Sequence, residues 1–174
     1  GTQICRMHGG YRIAYTHLET TAEVPRAMPM VFLHGGPGGY VYSSVVRALL
    51  PLDDAGHEGY LYDRLGSGPA DSLLHPKDSG FNDQIDDLRE IIVRHLGARH
   101  VALIGHSHGA RVAAYYAARY PGTVTRLVLS APGNLEPAQY DDQGRAVVES
   151  RFPVPAALDF RPPDAEQYRR DTAL

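Results

Sequence analysis

A serine flanked by glycines is the feature of this sequence that most directly suggests chemistry. Residues 105–109 read Gly-His-Ser-His-Gly, with Ser107 at the centre, and they lie between an apolar run at 101–104 and an alanine-rich segment that begins at Ala110. A serine in a tight turn between a strand and a helix can present its hydroxyl as a nucleophile, and the flanking glycines avoid a collision with it. The pattern therefore predicts Ser107 as a nucleophile at a helix N-terminus, where partial positive charge favours a developing anion.

A second glycine-rich segment can complete this chemistry. Residues 34–39 read His-Gly-Gly-Pro-Gly-Gly and follow the apolar run at 30–33. Acyl transfer needs hydrogen-bond donors aimed at the negatively charged oxygen of its tetrahedral intermediate. Gly36 and His108 can each offer a backbone N–H, so we predict an oxyanion hole made by these two residues. A phosphate-binding loop is the alternative, but the sequence contains neither G-x-x-x-x-G-K-[ST] nor G-x-G-x-x-G at this place.

Two tyrosines follow the glycine-rich segment at once. Tyr40 and Tyr42 stand where aromatic side chains can line a substrate pocket. The alternative is that they pack at the start of the next helix, which we predict over residues 42–50.

The histidines beside the serine raise the question of a metal. His106 and His108 could form a pair of ligands, but two ligands do not make a catalytic metal centre. We therefore expect no metal and no other cofactor.

Strand-like and helix-like segments alternate along the chain, which predicts an α/β fold with a mainly parallel sheet flanked by helices. A Gly-Gly pair predicts a hairpin near the start of the chain, and its second strand alternates as a half-buried strand does over residues 11–16. Buried strands are predicted at 30–33, 101–104 and 127–129, a more polar strand at 58–63, and a helix at 110–120.

The helix predicted at residues 82–96 has the clearest signals. Its apolar residues recur at spacings of three and four, and either Asn82 or Asp83 is expected to cap its N-terminus. Gly97 fits the position directly after the helix, where a left-handed backbone is common.

Composition describes an ordinary globular protein and excludes several classes. The chain has 174 residues and a net charge of -3, so it has no basic field to attract nucleic acid. No apolar run approaches the ~20 residues of a membrane helix. The single cysteine, Cys5, excludes an internal disulfide and favours a reducing compartment, so we expect a cytoplasmic protein. Sequence character changes after Pro132, which divides the chain into a core at 1–132 and a linker or lid start at 133–174.

Three motifs together resemble the α/β-hydrolase superfamily, and most of all the proline iminopeptidase-like serine peptidases and hydrolases. They are the segments at 34–39, at 62–68 (Tyr-Asp-Arg-Leu-Gly-Ser-Gly) and at 105–109. The resemblance covers roughly residues 4–132, so the fold is expected to be incomplete at its C-terminal side. It implies a Ser-His-Asp triad with Ser107 as nucleophile, an oxyanion hole from Gly36 and His108, and a helical lid. The segment at 62–68 would order the loop beside the pocket.

The residues that should activate the serine are not found where this fold needs them. A serine hydroxyl needs a base, and the triad order in this fold is Ser, then Asp or Glu, then His. Apart from the adjacent His108, no histidine follows Ser107. The downstream aspartates lie in a segment without a strand pattern: Asp141, Asp142, Asp159, Asp164 and Asp171. We therefore expect both triad partners to come from a second polypeptide or from a missing C-terminal part.

The function expected is hydrolysis of an ester or amide through an acyl-enzyme, with a small molecule or short peptide as substrate. Cleavage of an N-terminal peptide bond is suggested by the resemblance alone. Two alternatives remain open. One is acyl transfer or cyclisation by the same acyl-enzyme with water excluded, and the other is a non-catalytic binding protein that keeps the pocket without a triad. We expect neither nucleic acid nor membrane as a partner.

Overall fold

A six-stranded mixed sheet organises the part of the chain that is described. The computed structural model describes residues 2–23, 28–36, 39–68, 70 and 80–132. The elements in chain order are β1 (Thr2–Arg6), β2 (Arg12–Leu18), β3 (Met30–Leu33), α1 (Ser43–Asp54), β4 (Gly59–Asp63), α2 (Phe81–Glu90), a π-helical turn (Ile91–His95), β5 (Val101–His106), α3 (His108–Arg119) and β6 (Val124–Ser130). The strand order is β1-β2-β4-β3-β5-β6.

The four strands β4, β3, β5 and β6 are parallel, whereas β1 and β2 pair antiparallel at one side of the sheet. Leu33 pairs with Tyr62 on one side and with Gly105 on the other, so β3, β4 and β5 end together. The loops that follow these strands carry the three motifs of the sequence. The parallel arrangement therefore brings all three motifs to one edge of the sheet.

Both faces of the sheet are covered, and the short strand β3 shows how. Val31 and Leu33 point into a core shared with α2 and α3, whereas Met30 and Phe32 point into a second core that packs against α1. All four side chains are buried, as the continuous apolar run at 30–33 predicts. The predicted α/β architecture with helices flanking a mainly parallel sheet is confirmed.

Two predicted strand environments are wrong. Strand β2 is not half-buried: Ile13 packs into one core, Leu18 into the other, and Thr16 is also buried. The reason is that a core covers each face of the sheet at β2, so side chains on both faces of this strand are buried. Strand β6 was expected to be buried, but it is the edge strand of the described sheet, and Leu127 and Val128 are 40% and 53% exposed.

The predicted helix at 82–96 exists, with a different cap and a different last turn. It begins at Phe81, and Gly80 takes the N-cap position. Asp83 is the third residue of the helix, and its carboxylate accepts a hydrogen bond from Gly80 N–H at 2.7 Å. Neither Asn82 nor Asp83 is therefore the N-cap, and that prediction is wrong. The last turn is π-helical, and Gly97 follows with a φ of 59°, as expected for the residue that ends a helix.

The Gly-Gly hairpin between β1 and β2 is confirmed, with Gly10 at a φ of 87°. The segment at 133–174, the downstream aspartates, and residues 37 and 38 of the glycine-rich loop lie outside the described residues. No helix within the described ranges is both long enough and apolar enough to cross a membrane.

Candidate active site

Ser107 occupies a strained turn at the carboxyl end of β5. Its backbone angles, φ of 53° and ψ of -120°, lie in a region that residues other than glycine rarely adopt. It stands at the N-cap position of α3, where a serine side chain commonly accepts a hydrogen bond from the helix backbone. Here the Ser107 side chain makes no such bond. The turn thus leaves the hydroxyl free of the capping role that its position would favour.

The glycines on either side of the turn are required by crowding, though not by crowding against the serine itself. A Cβ on Gly105 would lie 2.5 Å from Ala110 Cα, and a Cβ on Gly109 would lie 2.2 Å from Leu33 O. The crowding predicted from the sequence is present, but its partners are the backbones of α3 and of β3. Glycine at both positions lets α3 begin directly against the strands that carry the site.

The glycine-rich loop packs against this turn. A Cβ on Gly35 would lie 3.0 Å from Ser107 Cβ, so the two backbones are in close contact. Gly36 has a φ of 84°, a left-handed conformation that favours glycine. The two predicted parts of the site, the serine turn and the loop that carries Gly36, are therefore adjacent.

A cavity of about 280 Å³ opens at this junction. Its lining includes Ser107 and Gly36 together with both tyrosines singled out from the sequence, Tyr40 and Tyr42. The tyrosine rings lie 4.1 Å apart between centroids; Tyr40 is buried and Tyr42 is 43% exposed. The structure thus brings four of the five predicted site residues to one cavity.

The fifth, His108, follows Ser107 in the chain and directs its side chain elsewhere. Its Nε2 lies 2.9 Å from Gln84 Oε1 on α2, and its ring contacts Phe81 edge to face. Burial, followed by the charges of Arg64 and Arg111, lowers the pKa of His108 to about 4. The neutral ring therefore donates its Nε2 proton to Gln84.

His34, the first residue of the glycine-rich loop, is a fixed neutral brace. Its Nε2 accepts a hydrogen bond from Arg64 N–H at 3.2 Å, which places the proton on Nδ1, and Nδ1 donates to Gly35 O at 2.8 Å. Burial, together with the nearby Arg64 charge, lowers the pKa of His34 to about 3. Both ring nitrogens are therefore engaged with backbone groups.

Arg64 is the contributor that the sequence reasoning missed. Its guanidinium is buried and donates to Gly35 O at 3.0 Å, to Gly36 O at 2.9 Å and to Gln84 Oε1 at 3.2 Å. Burial lowers its pKa from the usual range. The segment at 62–68 was predicted to order the loop beside the pocket. The sequence offered one signal for this role. Arg64 is the only arginine of the 62–68 segment, and a guanidinium can donate to several carbonyl oxygens at once.

The histidines near the serine do not act on it in this arrangement. His106 is exposed, and its Nδ1 lies 3.3 Å from Ser130 Oγ. Among the described residues, no side chain forms a hydrogen bond with Ser107 Oγ. Within those same ranges no group of three His, Cys, Asp or Glu side chains is placed to hold a metal ion.

Known proteins share the sequence pattern of this chain. Residues 28–172 match the family described as alpha/beta hydrolase fold. The chain is 30% identical to a proline iminopeptidase from Saccharolobus solfataricus, covering 69% of this chain and 38% of that protein. It is 34% identical to a proline iminopeptidase from Lactobacillus helveticus, covering 70% and 40%. The chain therefore spans about 40% of the length of these curated relatives.

Solved structures share its fold. A probable hydrolytic enzyme from Pseudomonas aeruginosa superposes with a TM-score of 0.69 at 23% identity, over 80% of this chain and 44% of that one. An epoxide hydrolase from Vigna radiata gives 0.68 at 19% identity, over 87% and 46%. The resemblance that three motifs carry in the sequence is confirmed, and the chain belongs to the α/β-hydrolase fold family, within which it is similar to the proline iminopeptidases.

Proposed function

We propose that this chain carries the nucleophile and the oxyanion hole of a serine hydrolase that cleaves an ester or amide bond through an acyl-enzyme. The observation that supports this most directly is the left-handed turn at Ser107, in contact with the glycine-rich loop and open to the same cavity. A strained backbone at a non-glycine residue persists only where the surrounding structure holds it, and it concentrates at functional sites.

In the proposed reaction, Ser107 Oγ attacks the carbonyl carbon of the substrate while a histidine accepts the hydroxyl proton. The carbonyl oxygen becomes an oxyanion that Gly36 N–H and His108 N–H stabilise. Collapse of this intermediate breaks the ester or amide bond, and the histidine returns the proton to the departing alcohol or amine. Water then hydrolyses the acyl-serine by the same steps in reverse order.

The histidine and its acidic partner are proposed to come from polypeptide outside these 174 residues. His106 and His108 are engaged with Ser130 and Gln84, and His34 is locked between backbone groups. A base supplied by the rest of a longer chain, or by a second polypeptide, would approach the cavity from its open side.

The cavity supports a small substrate. Its volume of about 280 Å³ suits a short acyl group or a single amino-acid residue, and Tyr40 and Tyr42 would contact the part beside the scissile carbonyl. Because curated relatives are proline iminopeptidases, an N-terminal peptide bond is the amide we propose to test first.

A fluorophosphonate probe and denaturing intact-mass measurement test this proposal. We expect a single adduct at Ser107 in the wild-type protein and none in Ser107→Ala, whose turnover should fall roughly 10⁴-fold or more. A second polypeptide in the spectrum, or one chain heavier than 19.0 kDa, would identify the source of the missing base. A protein that contains the rest of the polypeptide, seen as a heavier chain or as a second species beside the 19.0 kDa chain, and that still forms no adduct at Ser107 would contradict the proposal.

Acyl transfer to an acceptor other than water is the second candidate, since it uses the same acyl-enzyme. Product analysis in the presence of an added amine or alcohol separates the two reactions. Free acid as the main product supports hydrolysis, and an amide or ester of the added acceptor supports transfer.

A further inference from the structure

A buried cation lies directly behind the glycine-rich loop. Arg64 is 7% exposed, and its Nη2 donates to the carbonyl oxygens of both Gly35 and Gly36. We infer that Arg64 is a positioning residue that sets the direction and the strength of the Gly36 N–H donor. The inference rests on the function proposed above, because it concerns the same oxyanion hole.

The direction follows from the geometry of one peptide unit. The carbonyl of Gly35 and the N–H of Gly36 belong to the same planar group, and in a trans peptide they point in opposite directions. Arg64 Nη2 and His34 Nδ1 both hold Gly35 O, at 3.0 and 2.8 Å. The N–H of Gly36 must then point away from Arg64. Residue 37 is a proline, so the next peptide has no N–H to offer in its place.

The strength of the donor follows from charge. A guanidinium bound to a carbonyl oxygen draws electron density from the peptide, which makes its N–H a better donor, and this effect is larger away from solvent. Among the described residues the Arg64 side chain contacts three neutral oxygens and, at 3.3 Å from Nη2, the neutral ring of His34 at Nδ1, so no direct ion pair balances its charge there.

The same side chain reaches the second proposed donor through Gln84. Arg64 Nη1 and His108 Nε2 both donate to Gln84 Oε1, at 3.2 and 2.9 Å. Arg64 can only donate, so the amide must present its oxygen, and the His108 ring must carry its proton on Nε2. Gln84 therefore ties the residue that offers the second N–H to the arginine that orients the first.

Steady-state kinetics on the full-length protein test this role with a p-nitrophenyl ester. We expect Arg64→Met to lower kcat about 10²-fold, with KM changed by less than about threefold, because the lost stabilisation appears only in the transition state. Arg64→Lys keeps the positive charge on a single donor nitrogen, so it should recover part of the loss. Arg89→Met is the matched control, since Arg89 also bonds inside the fold, to Thr123 Oγ1 at 3.1 Å, but away from the site.

A second variant keeps the test independent of folding. Gln84→Leu preserves the buried cation while it cuts the link to His108, and we expect kcat to fall about tenfold or less. In folded Arg64→Met the Gly36 amide proton should also move to higher field, because its peptide loses polarisation, and ¹H–¹⁵N spectra measure this without turnover.

The outcomes separate the two proposals. A wild-type protein whose Ser107 does not react with the fluorophosphonate overturns the hydrolase proposal and this inference with it. A reactive wild type, with Arg64→Met and Gln84→Leu as active as Arg89→Met, overturns the role of Arg64 alone.

Discussion

Polar groups form hydrogen-bonded clusters in two regions of this molecule, one buried and the other half-buried to exposed, and the two are built from opposite chemistry. The first region is the serine edge, by which we mean the end of the sheet beside Ser107. There the neutral ring of His34 and the Arg64 cation form hydrogen bonds mainly with backbone carbonyls and N–H groups. At the hairpin between β1 and β2, carboxylates of α2 supply the acceptors. Tyr11 OH donates to Asp87, and His8 N–H donates to Glu90 at 2.7 Å.

The pKa shifts show what this difference means. Burial and a neighbouring cation favour the neutral form of His34 at the serine edge, with a pKa near 3. At the hairpin, burial and the neighbouring acids Glu90, Asp83 and Asp86 raise the pKa of Asp87 to about 6, against a hydrogen bond from Tyr11 that lowers it. Folding therefore disfavours protonation of His34 at the serine edge, whereas it favours protonation of Asp87 at the hairpin.

The largest expected contrast concerns glycine. Gly109→Ala places a methyl carbon 2.2 Å from Leu33 O, which only a shift of backbone can relieve. We expect this change to lower the free energy of unfolding by about 3 kcal/mol or more. Gly10→Ala in the hairpin meets no atom within 4 Å and suffers only from its φ of 87°, so it should cost about 1 kcal/mol. Urea unfolding measures both, and equal losses would contradict the contrast.

The next contrast concerns how the free energy of unfolding changes at acidic pH, first through His34. The folded pKa of His34 is about 3, below the ordinary value of about 6.5. As the pH falls below 6.5, His34 becomes protonated in the unfolded chain but stays neutral in the folded protein. The free energy of unfolding therefore decreases as the pH falls below this value. The slope approaches about 1.4 kcal/mol per pH unit. His108 adds a smaller loss because solvent reaches it.

Unfolding free energies between pH 7 and pH 4 measure this slope. His34→Asn should flatten it, whereas His100→Asn, at an exposed residue just before β5, should leave it unchanged. A wild-type slope that His34→Asn does not alter would show that His34 is not the group responsible.

The hairpin should respond in the opposite direction. Folded Asp87 has a pKa of about 6, above the ordinary value of about 3.9. Folded protein thus binds this proton more tightly, and the stability that the proton supplies is lost as the pH rises through 6. Asp87→Asn keeps an oxygen acceptor for Tyr11 and carries no charge. We expect it to be more stable than wild type at pH 8 by on the order of 2 kcal/mol, and equal to it near pH 3. A difference that does not change with pH would refute the assignment.

The smallest contrast concerns two tyrosine hydroxyls. Tyr62 OH is buried without a hydrogen-bond partner among the described residues, whereas Tyr11 OH donates to Asp87. Tyr62→Phe should leave thermal stability unchanged or raise it by about 1 kcal/mol, and Tyr11→Phe should lower it by about 1 kcal/mol. Calorimetry on both variants checks the sign, and a loss on Tyr62→Phe would mean that its hydroxyl is satisfied.

Local signals in the sequence predicted the serine edge well. The apolar run at 30–33 has the bounds of β3, and the Gly-x-Ser-x-Gly pattern lies at the predicted strand-to-helix turn. Such features depend on neighbours within a few residues, and the residue types record them directly. The same holds for the Gly-Gly hairpin and for Gly97 at the end of its helix.

What escaped prediction depends on contacts between distant parts of the chain. Arg64 reaches the loop at Gly35 and Gly36, nearly thirty residues earlier, and Gln84 reaches His108 on another helix. Arg64 is marked in the sequence only as the one cation of its segment, and neither contact leaves a periodic pattern that would identify its partner. The run at 127–129 predicts a strand but not its burial, since an apolar run of three residues says nothing about its place in the strand order.

The left-handed turn at Ser107 also predicts what a screen for stability would select at this position. Holding a serine there costs about 1–2 kcal/mol that a glycine would not. A library screened for heat resistance alone should therefore drift toward Ser107→Gly, and such clones should gain stability while they lose the fluorophosphonate reactivity that we propose for Ser107. A serine held here at a cost in stability is what the proposed nucleophile requires.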